Sequence, residues 1–82
     1  MSIYPNPANT LCNIQYSLAE SANVYFVITD VTGRIVFSNS KAKLLSGTYQ
    51  FAINTTELAN GMYYIEMKTD ETTITNKLLI TK

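Results

Sequence analysis

The fold of this 82-residue chain is decided by residues 23–38, NVYFVITDVTGRIVFS. Residues 24–29 are apolar on both alternating faces, which is typical of a strand that has neighbours on either side. The next residues, DVTG, place Asp30 at the first and Gly33 at the fourth position of a type I turn. We therefore predict that residues 24–29 and 34–38 form an antiparallel hairpin and that its first strand is central in a sheet.

An alternation of apolar and polar residues with a period of two continues through the rest of the chain. The positions expected to face the core are Cys12, Ile14, Tyr16, Leu18, Tyr49, Phe51, Ile53, Tyr63, Ile65, Met67, Ile74, Leu78 and Ile80. A short strand at Ile3–Tyr4 and a second hairpin turn at residues 69–72, TDET, complete the pattern. Seven short strands in a chain of this length predict one all-β domain, a small antiparallel β-sandwich.

One stretch does not have the pattern of a strand. It is NTTELANG, residues 54–61, in which Asn54 is followed three positions later by Glu57, as in a capping box. The dipeptide Asn60–Gly61 is typical of a helix end. We therefore expect a single helical turn between the fifth and sixth strands.

The charged residues do not indicate a nucleic-acid or enzyme site. Six acidic and six basic side chains cancel, so no basic face is expected to attract nucleic acid. The chain has no histidine and a single cysteine, so it lacks the usual general base and the ligands of a zinc site. We expect a non-catalytic domain without a metal or cofactor. A calcium ion held by Asp30 or by Asp70–Glu71 is the alternative to solvated turn acids.

Cysteine and the aromatic residues each have a structural and a functional interpretation. Cys12 lies on a core-facing position and is expected to be a small buried apolar residue rather than a reactive or intermolecular thiol. Most of the six tyrosines and three phenylalanines also face the core. Tyr25 and Tyr64 are the candidates for exposed rings, so an immunoglobulin-like accessory module that binds carbohydrate or spaces domains is the alternative function.

Three motifs in order resemble a known family. They are YPNPAN at residues 4–9, LANGMYYIEM at residues 58–67 and TNKLLITK at residues 75–82, with ITDVTGRIV between the first two. In this order and spacing they are similar to the C-terminal sorting domain of the type IX (Por) secretion system of certain Gram-negative bacteria. The resemblance covers nearly the whole chain.

The resemblance implies a seven-stranded immunoglobulin-like antiparallel β-sandwich and a role as a secretion signal. Such a domain follows a passenger protein, is recognised by the outer-membrane translocon and its shuttle proteins, and is cleaved by a cell-surface sortase that anchors or releases the passenger. The protein would pass through the periplasm to the cell surface or the medium. The first residues, MSIYPNPAN, lack the features of a signal peptide, so we expect a domain excised from a larger exported protein.

Residues are carried over from the family by motif. The resemblance implies contact with the translocon for Lys77, Leu78, Leu79, Ile80, Lys82, Gly61 and Tyr63. It implies structural roles for Pro5, Asn6 and Pro7, and we expect Asp30 and Gly33 to have one in the turn; the prolines favour a stiff, extended segment suited to a sheet edge. Lys77 is the strongest candidate for recognition, because a buried ammonium is costly and its head should therefore reach solvent. The open edge of the last strand could pair with a receptor or with a second copy, giving a homodimer.

Overall fold

In the computed structural model, which describes residues 1–82, the chain forms seven β-strands. The strands are β1 Ser2–Tyr4, β2 Leu11–Leu18, β3 Ala22–Asp30, β4 Ile35–Leu44, β5 Gly47–Asn54, β6 Gly61–Lys68 and β7 Thr73–Ile80. All pairings between strands are antiparallel. There is no helix in the chain, and hence none that could span a membrane. The all-β prediction is confirmed.

The strands form two sheets, in the orders β1-β2-β5 and β4-β3-β6-β7. The predicted hairpin is β3–β4, and β3 is central between β4 and β6, as its two apolar faces indicated. The two sheets enclose one core, which makes the domain an immunoglobulin-like β-sandwich. β7, the last strand of the chain, lies at an edge of the four-stranded sheet.

The core consists of the inner faces of both sheets. Its 14 buried residues are Ala8, Cys12, Ile14, Tyr16, Leu18, Val24, Phe26, Ile28, Ile53, Tyr63, Ile65, Met67, Leu78 and Ile80. Phe26 packs edge-on against Tyr16 and Phe51, with 4.9 Å between ring centroids in each pair. Cys12 is fully buried, as predicted, and this burial raises the pKa of its thiol. The alternating pattern therefore predicted the core faces of β2, β5, β6 and β7 correctly.

The predicted turn at residues 30–33 is present. The N–H of Gly33 donates to the carbonyl of Asp30 at 3.0 Å, and Gly33 has a φ of 88°, which favours glycine. The Asp30 carboxylate accepts bonds from the Thr32 N–H at 2.9 Å, the Thr32 hydroxyl at 2.6 Å and the Arg34 N–H at 3.1 Å. The side chain of Asp30 thus holds the loop that joins β3 to β4.

Between β5 and β6 the chain forms a single hydrogen-bonded turn, in which the Leu58 N–H donates to the Thr55 carbonyl at 3.1 Å, and it does not form the expected turn of helix. The side-chain oxygen of Asn54 accepts bonds from the N–H and the hydroxyl of Thr56, at 2.9 and 2.7 Å, which closes a turn two residues long. Thr55 is fully buried, and its N–H donates to the carbonyl of Thr10 at 2.9 Å. This bond attaches the turn to the loop between β1 and β2. β4 is also longer than predicted, since it continues to Leu44.

The segment after β1 also differs from its prediction. The chain leaves the three-stranded sheet at Tyr4, and residues 5–7 form bends rather than an extended edge strand. Beyond them Ala8 makes a single parallel bridge to Ile80, in the other sheet. Pro5–Pro7 therefore carry the chain across the flank of the sandwich, to the edge of β7.

Candidate recognition surface

β7 is anchored by every second residue and presents the others to solvent. It pairs only with β6, in a register that sets Lys77 opposite Tyr64 and Leu78 opposite Tyr63. Leu78 and Ile80 are fully buried, whereas Lys77 is exposed on the outer face of the sheet. The predicted exposure of Lys77 is therefore confirmed, and the register of β7 holds it in one place.

The outer edge of β7 is closed along its C-terminal half by residues 6–8, which we call the edge cover. The Asn6 amide group accepts a hydrogen bond from the Leu79 N–H at 3.0 Å and donates one to the Lys77 carbonyl at 3.1 Å. The N–H of Ala8 donates to the Leu79 carbonyl at 2.8 Å, and its carbonyl accepts from the Thr81 N–H at 2.9 Å. Four outward backbone groups of the last strand and its tail thus have partners.

The N-terminal half of the same edge is open. In an antiparallel strand, successive residues direct their backbone groups alternately to one side and the other. Because the groups of Leu79 and the carbonyl of Lys77 face outward, those of Thr73 and Thr75 and the N–H of Lys77 do so as well. None of these groups has a hydrogen-bond partner in the protein. We call residues 73–77 with these unpaired groups the open edge.

Lys77 is the single charge of β7 and forms no ion pair. The nearest acid along the facing strand, Glu66, already pairs with Lys68 through an N–O distance of 3.1 Å. The ring of Tyr64 lies on the same outer face as Lys77, and 37% of this residue is exposed. The outer face at β7 therefore displays a free cation beside an accessible aromatic ring.

Gly61 and Tyr63 fix the start of β6 rather than the outer surface. Gly61 has a φ of 151°, and no atom would contact an added Cβ, so its backbone conformation is the reason for glycine here. Tyr63 is buried, and its hydroxyl donates to the carbonyl of Ala59 at 2.7 Å. Both residues therefore hold the loop before β6 next to the end of the chain.

The last residue also contacts this loop. The Lys82 N–H donates to the side-chain oxygen of Asn60 at 3.1 Å, and the Lys82 ammonium donates to the Thr56 carbonyl. Leu79 is half-buried. Of the residues assigned to the translocon by motif, Lys77 thus has an exposed and unpaired polar side chain, whereas the other members are buried or engaged in this end of the fold.

The acidic candidates do not form a cluster. No three cysteine or acidic side chains come together anywhere in the chain. The Asp30 carboxylate is engaged by its own turn, and its second oxygen lies 3.3 Å from the Nε of Arg34. The hydrogen bond from the Thr32 hydroxyl, with smaller contributions from the backbone of Arg34 and Thr32, lowers the pKa of Asp30. Asp30 and Gly33 therefore have the structural role that was predicted for the turn.

The two candidate sugar-binding rings lie apart on the outer face. Tyr25 is 38% exposed and pairs with Lys68, whereas Tyr64 lies four residues earlier on the same neighbouring strand. This separation is about 13 Å along the strand. A shallow hollow of about 270 Å³ beside Tyr25 is lined also by Lys41 and Lys68 and does not include Tyr64. The rings therefore do not form one platform.

Two residues of this region were missed by sequence reasoning. Ala8 is fully buried under the edge of β7, and the hydroxyl of Thr55 donates to the carbonyl of Asn9 at 3.1 Å. Ala8 is the only apolar residue between Pro7 and Leu11, and this was the one available hint that the segment docks on the core. Nothing in the local sequence distinguishes Thr55 from the exposed Thr56.

The fold and this surface define a small immunoglobulin-like domain whose last strand forms a half-open sheet edge. A comparison with protein families matches residues 2–81 to the secretion system C-terminal sorting domain. The chain therefore belongs to the family of C-terminal sorting domains of the type IX secretion system, and the resemblance of its three motifs is confirmed. A search of the curated proteins gives no significant match. Membership of this family makes the domain a C-terminal secretion signal and implies export across the outer membrane.

Proposed function

We propose that the outer-membrane translocon and its shuttle proteins recognise this folded domain as a non-catalytic secretion signal, and that Lys77 is the centre of the surface they contact. The observation that carries the proposal is the free ammonium of Lys77 on a strand whose alternate residues are buried. Because the pairing of β7 with β6 fixes the position of Lys77, a receptor would find its ammonium at one place on the domain surface. Gly61, Tyr63, Leu78 and Ile80 then contribute by holding β7 in place.

Further steps of the proposal follow from the family. A passenger protein precedes the domain, and the whole chain passes through the periplasm before export. At the cell surface a sortase removes the domain, and the passenger is anchored or released. The half-open edge and the small size of the domain support a role as a detachable signal, since neither feature depends on the identity of the passenger.

The test is export of a fluorescent reporter that carries a signal peptide in front and residues 1–82 behind, in a host with type IX secretion. The variant Lys77→Ala should lower the exported fraction about tenfold, which corresponds to the loss of one charged contact of roughly 1.5 kcal/mol. Lys41→Ala, on the opposite edge strand of the same sheet, removes another exposed and unpaired lysine and should export normally.

The alternative is an immunoglobulin-like accessory module that binds carbohydrate or spaces domains. It predicts that the reporter with residues 1–82 stays in the periplasm. It also predicts saturable sugar binding that is lost in Tyr25→Ala or Tyr64→Ala. If the reporter is exported and Lys77→Ala is exported equally well, the domain is a signal but Lys77 is not its contact. A host without the sortase should retain the uncleaved fusion, which tests the cleavage step separately.

A further inference from the structure

The open edge and the edge cover divide one strand into an available half and a closed half. Along the open edge, the groups free to pair are the N–H and C=O of Thr73, the N–H and C=O of Thr75 and the N–H of Lys77. They span about 13 Å, the length of a five-residue strand. Free backbone groups at strand spacing are the structural requirement for adding another strand to a sheet.

We infer that the open edge docks an extended polypeptide segment of the recognising protein, which adds a fifth strand to the β4-β3-β6-β7 sheet and carries an acidic side chain next to Lys77. This inference rests on the proposed function and specifies its contact. The incoming strand pairs with residues 73–77 and stops at the Lys77 carbonyl, because Asn6 occupies that group. The edge cover therefore sets the register and the length of the added strand.

The charge of the surface favours an acidic partner. Lys77 is unpaired, and the only acid on the outer face of β6, Glu66, is held by Lys68. An acidic side chain on the added strand would find a cation that has no competing partner in the domain. Tyr64, beside Lys77 on the outer face, provides an apolar contact for the stem of such a side chain.

A second copy of this chain is the other occupant of an open edge, and it is the less favoured one. Two copies that pair through residues 73–77 would gain backbone hydrogen bonds but no complementary charge. Such a pair would also place Thr73 of one copy opposite Lys77 of the other and leave both ammonium groups without an acid. The charge thus favours a different protein.

Two variants at Thr75 separate the contribution of its backbone N–H to export from that of its side chain. Thr75→Pro removes the outward N–H without removing any hydrogen bond to β6, and proline is tolerated at such edge positions. Thr75→Ala removes the same side chain but keeps the N–H. In the reporter assay, we expect the exported fraction to fall about tenfold for Thr75→Pro, because a lost backbone bond and a blocked strand act together, and to stay unchanged for Thr75→Ala.

The fold of each variant is checked on the isolated 82-residue domain by thermal unfolding. If Thr75→Pro does not fold, Thr73→Pro at the first residue of β7 is used instead, where proline is better accepted. Charge is tested with Lys77→Glu and Lys77→Arg, and we expect loss of export for the first and retention for the second.

The outcomes are distinguishable from failure of the proposed function. If the unmodified reporter is not exported, the proposed function itself is wrong. If it is exported and a folded proline variant is exported equally well, the strand-addition inference alone is overturned. Sedimentation of the isolated domain decides the remaining alternative, since a dimer that the proline variant converts to a monomer would make a second copy the occupant and overturn the inference.

Discussion

The side chain of Asn6 completes the edge of the sheet at Leu79, accepting the Leu79 N–H at 3.0 Å while donating to the carbonyl two residues earlier at 3.1 Å. One amide group thus supplies a donor and an acceptor at the spacing of a strand. A residue between two prolines, which leave the backbone short of donors, takes the place of a neighbouring strand. Asn6 of the YPNPAN motif therefore bonds directly to the backbone of the TNKLLITK motif.

Removing the side-chain amide of Asn6 should destabilise the domain at the edge of β7. We expect Asn6→Ala to lower the free energy of unfolding by about 1–2 kcal/mol, since two exposed hydrogen bonds are lost at about 0.5–1.5 kcal/mol each. Denaturant unfolding gives the total change, and amide hydrogen exchange should accelerate at Leu79. Asn9→Ala is the control, because the Asn9 side chain has no hydrogen bond. Equal losses in the two variants would contradict the role of Asn6.

The hydroxyl of Tyr63 should matter for stability although its ring is already in the core. We expect Tyr63→Phe to lower the free energy of unfolding by about 1 kcal/mol, because the bond to the Ala59 carbonyl is lost and that group is left without its partner. Tyr64→Phe removes a hydroxyl on the opposite face that has no hydrogen bond and should change stability by less than about 0.5 kcal/mol. Chemical unfolding of both variants makes the comparison, and a Tyr64→Phe loss as large as that of Tyr63→Phe would count against this account.

Asp30, in the turn between β3 and β4, should make the domain less stable at acidic pH. The pKa of Asp30 is lower in the folded protein than in the unfolded chain, where it is about 3.9. Its stabilising contribution is therefore present above that value and is lost as the pH falls through the folded pKa. Unfolding measured from about pH 6 to about pH 2 should show this loss in the natural sequence. In Asp30→Asn this part of the pH dependence should be absent; an unchanged pH profile would show that other carboxylates dominate.

The thiol of Cys12 should be unreactive until the domain opens. Burial raises its pKa, so the reactive thiolate is suppressed in the folded state. We expect modification by a thiol reagent to be at least about a hundredfold slower than in denaturant. Cys12→Ser should destabilise more than Cys12→Ala, since a hydroxyl in this apolar site costs about 1–3 kcal/mol. Fast modification under native conditions would mean that this part of the core opens readily.

The sequence predicted those features that depend on neighbouring residues. Alternation reports which side of a strand is buried, and it placed Ile65 and Leu78 in the core. The DVTG turn was also predictable, because Asp30 bonds to residues only two and four positions away. In both cases the physical cause lies within a few residues of its effect.

The remaining features depend on distant contacts. The oxygen of Asn54 can accept from a backbone N–H in a helix cap or in a short turn, and the local sequence does not distinguish between them. The closed half of the β7 edge depends on Asn6 and Ala8, more than 70 residues away from it. An open edge on β7 was expected as a hypothesis, but nothing in the sequence near β7 indicates how much of that edge is free.

The bonds between Asn6 and β7 also have a consequence for the order of folding. They join residues 71 and 73 positions apart, so the loop they close is nearly the whole chain. Contacts of such high sequence separation form late and slow the folding of β-proteins. The edge cover can dock only after residues 77–81 have joined the sheet. A variant truncated before Lys77 would leave Asn6 and Ala8 without their partners, so the closed half of the edge depends on residues from both ends of the fold.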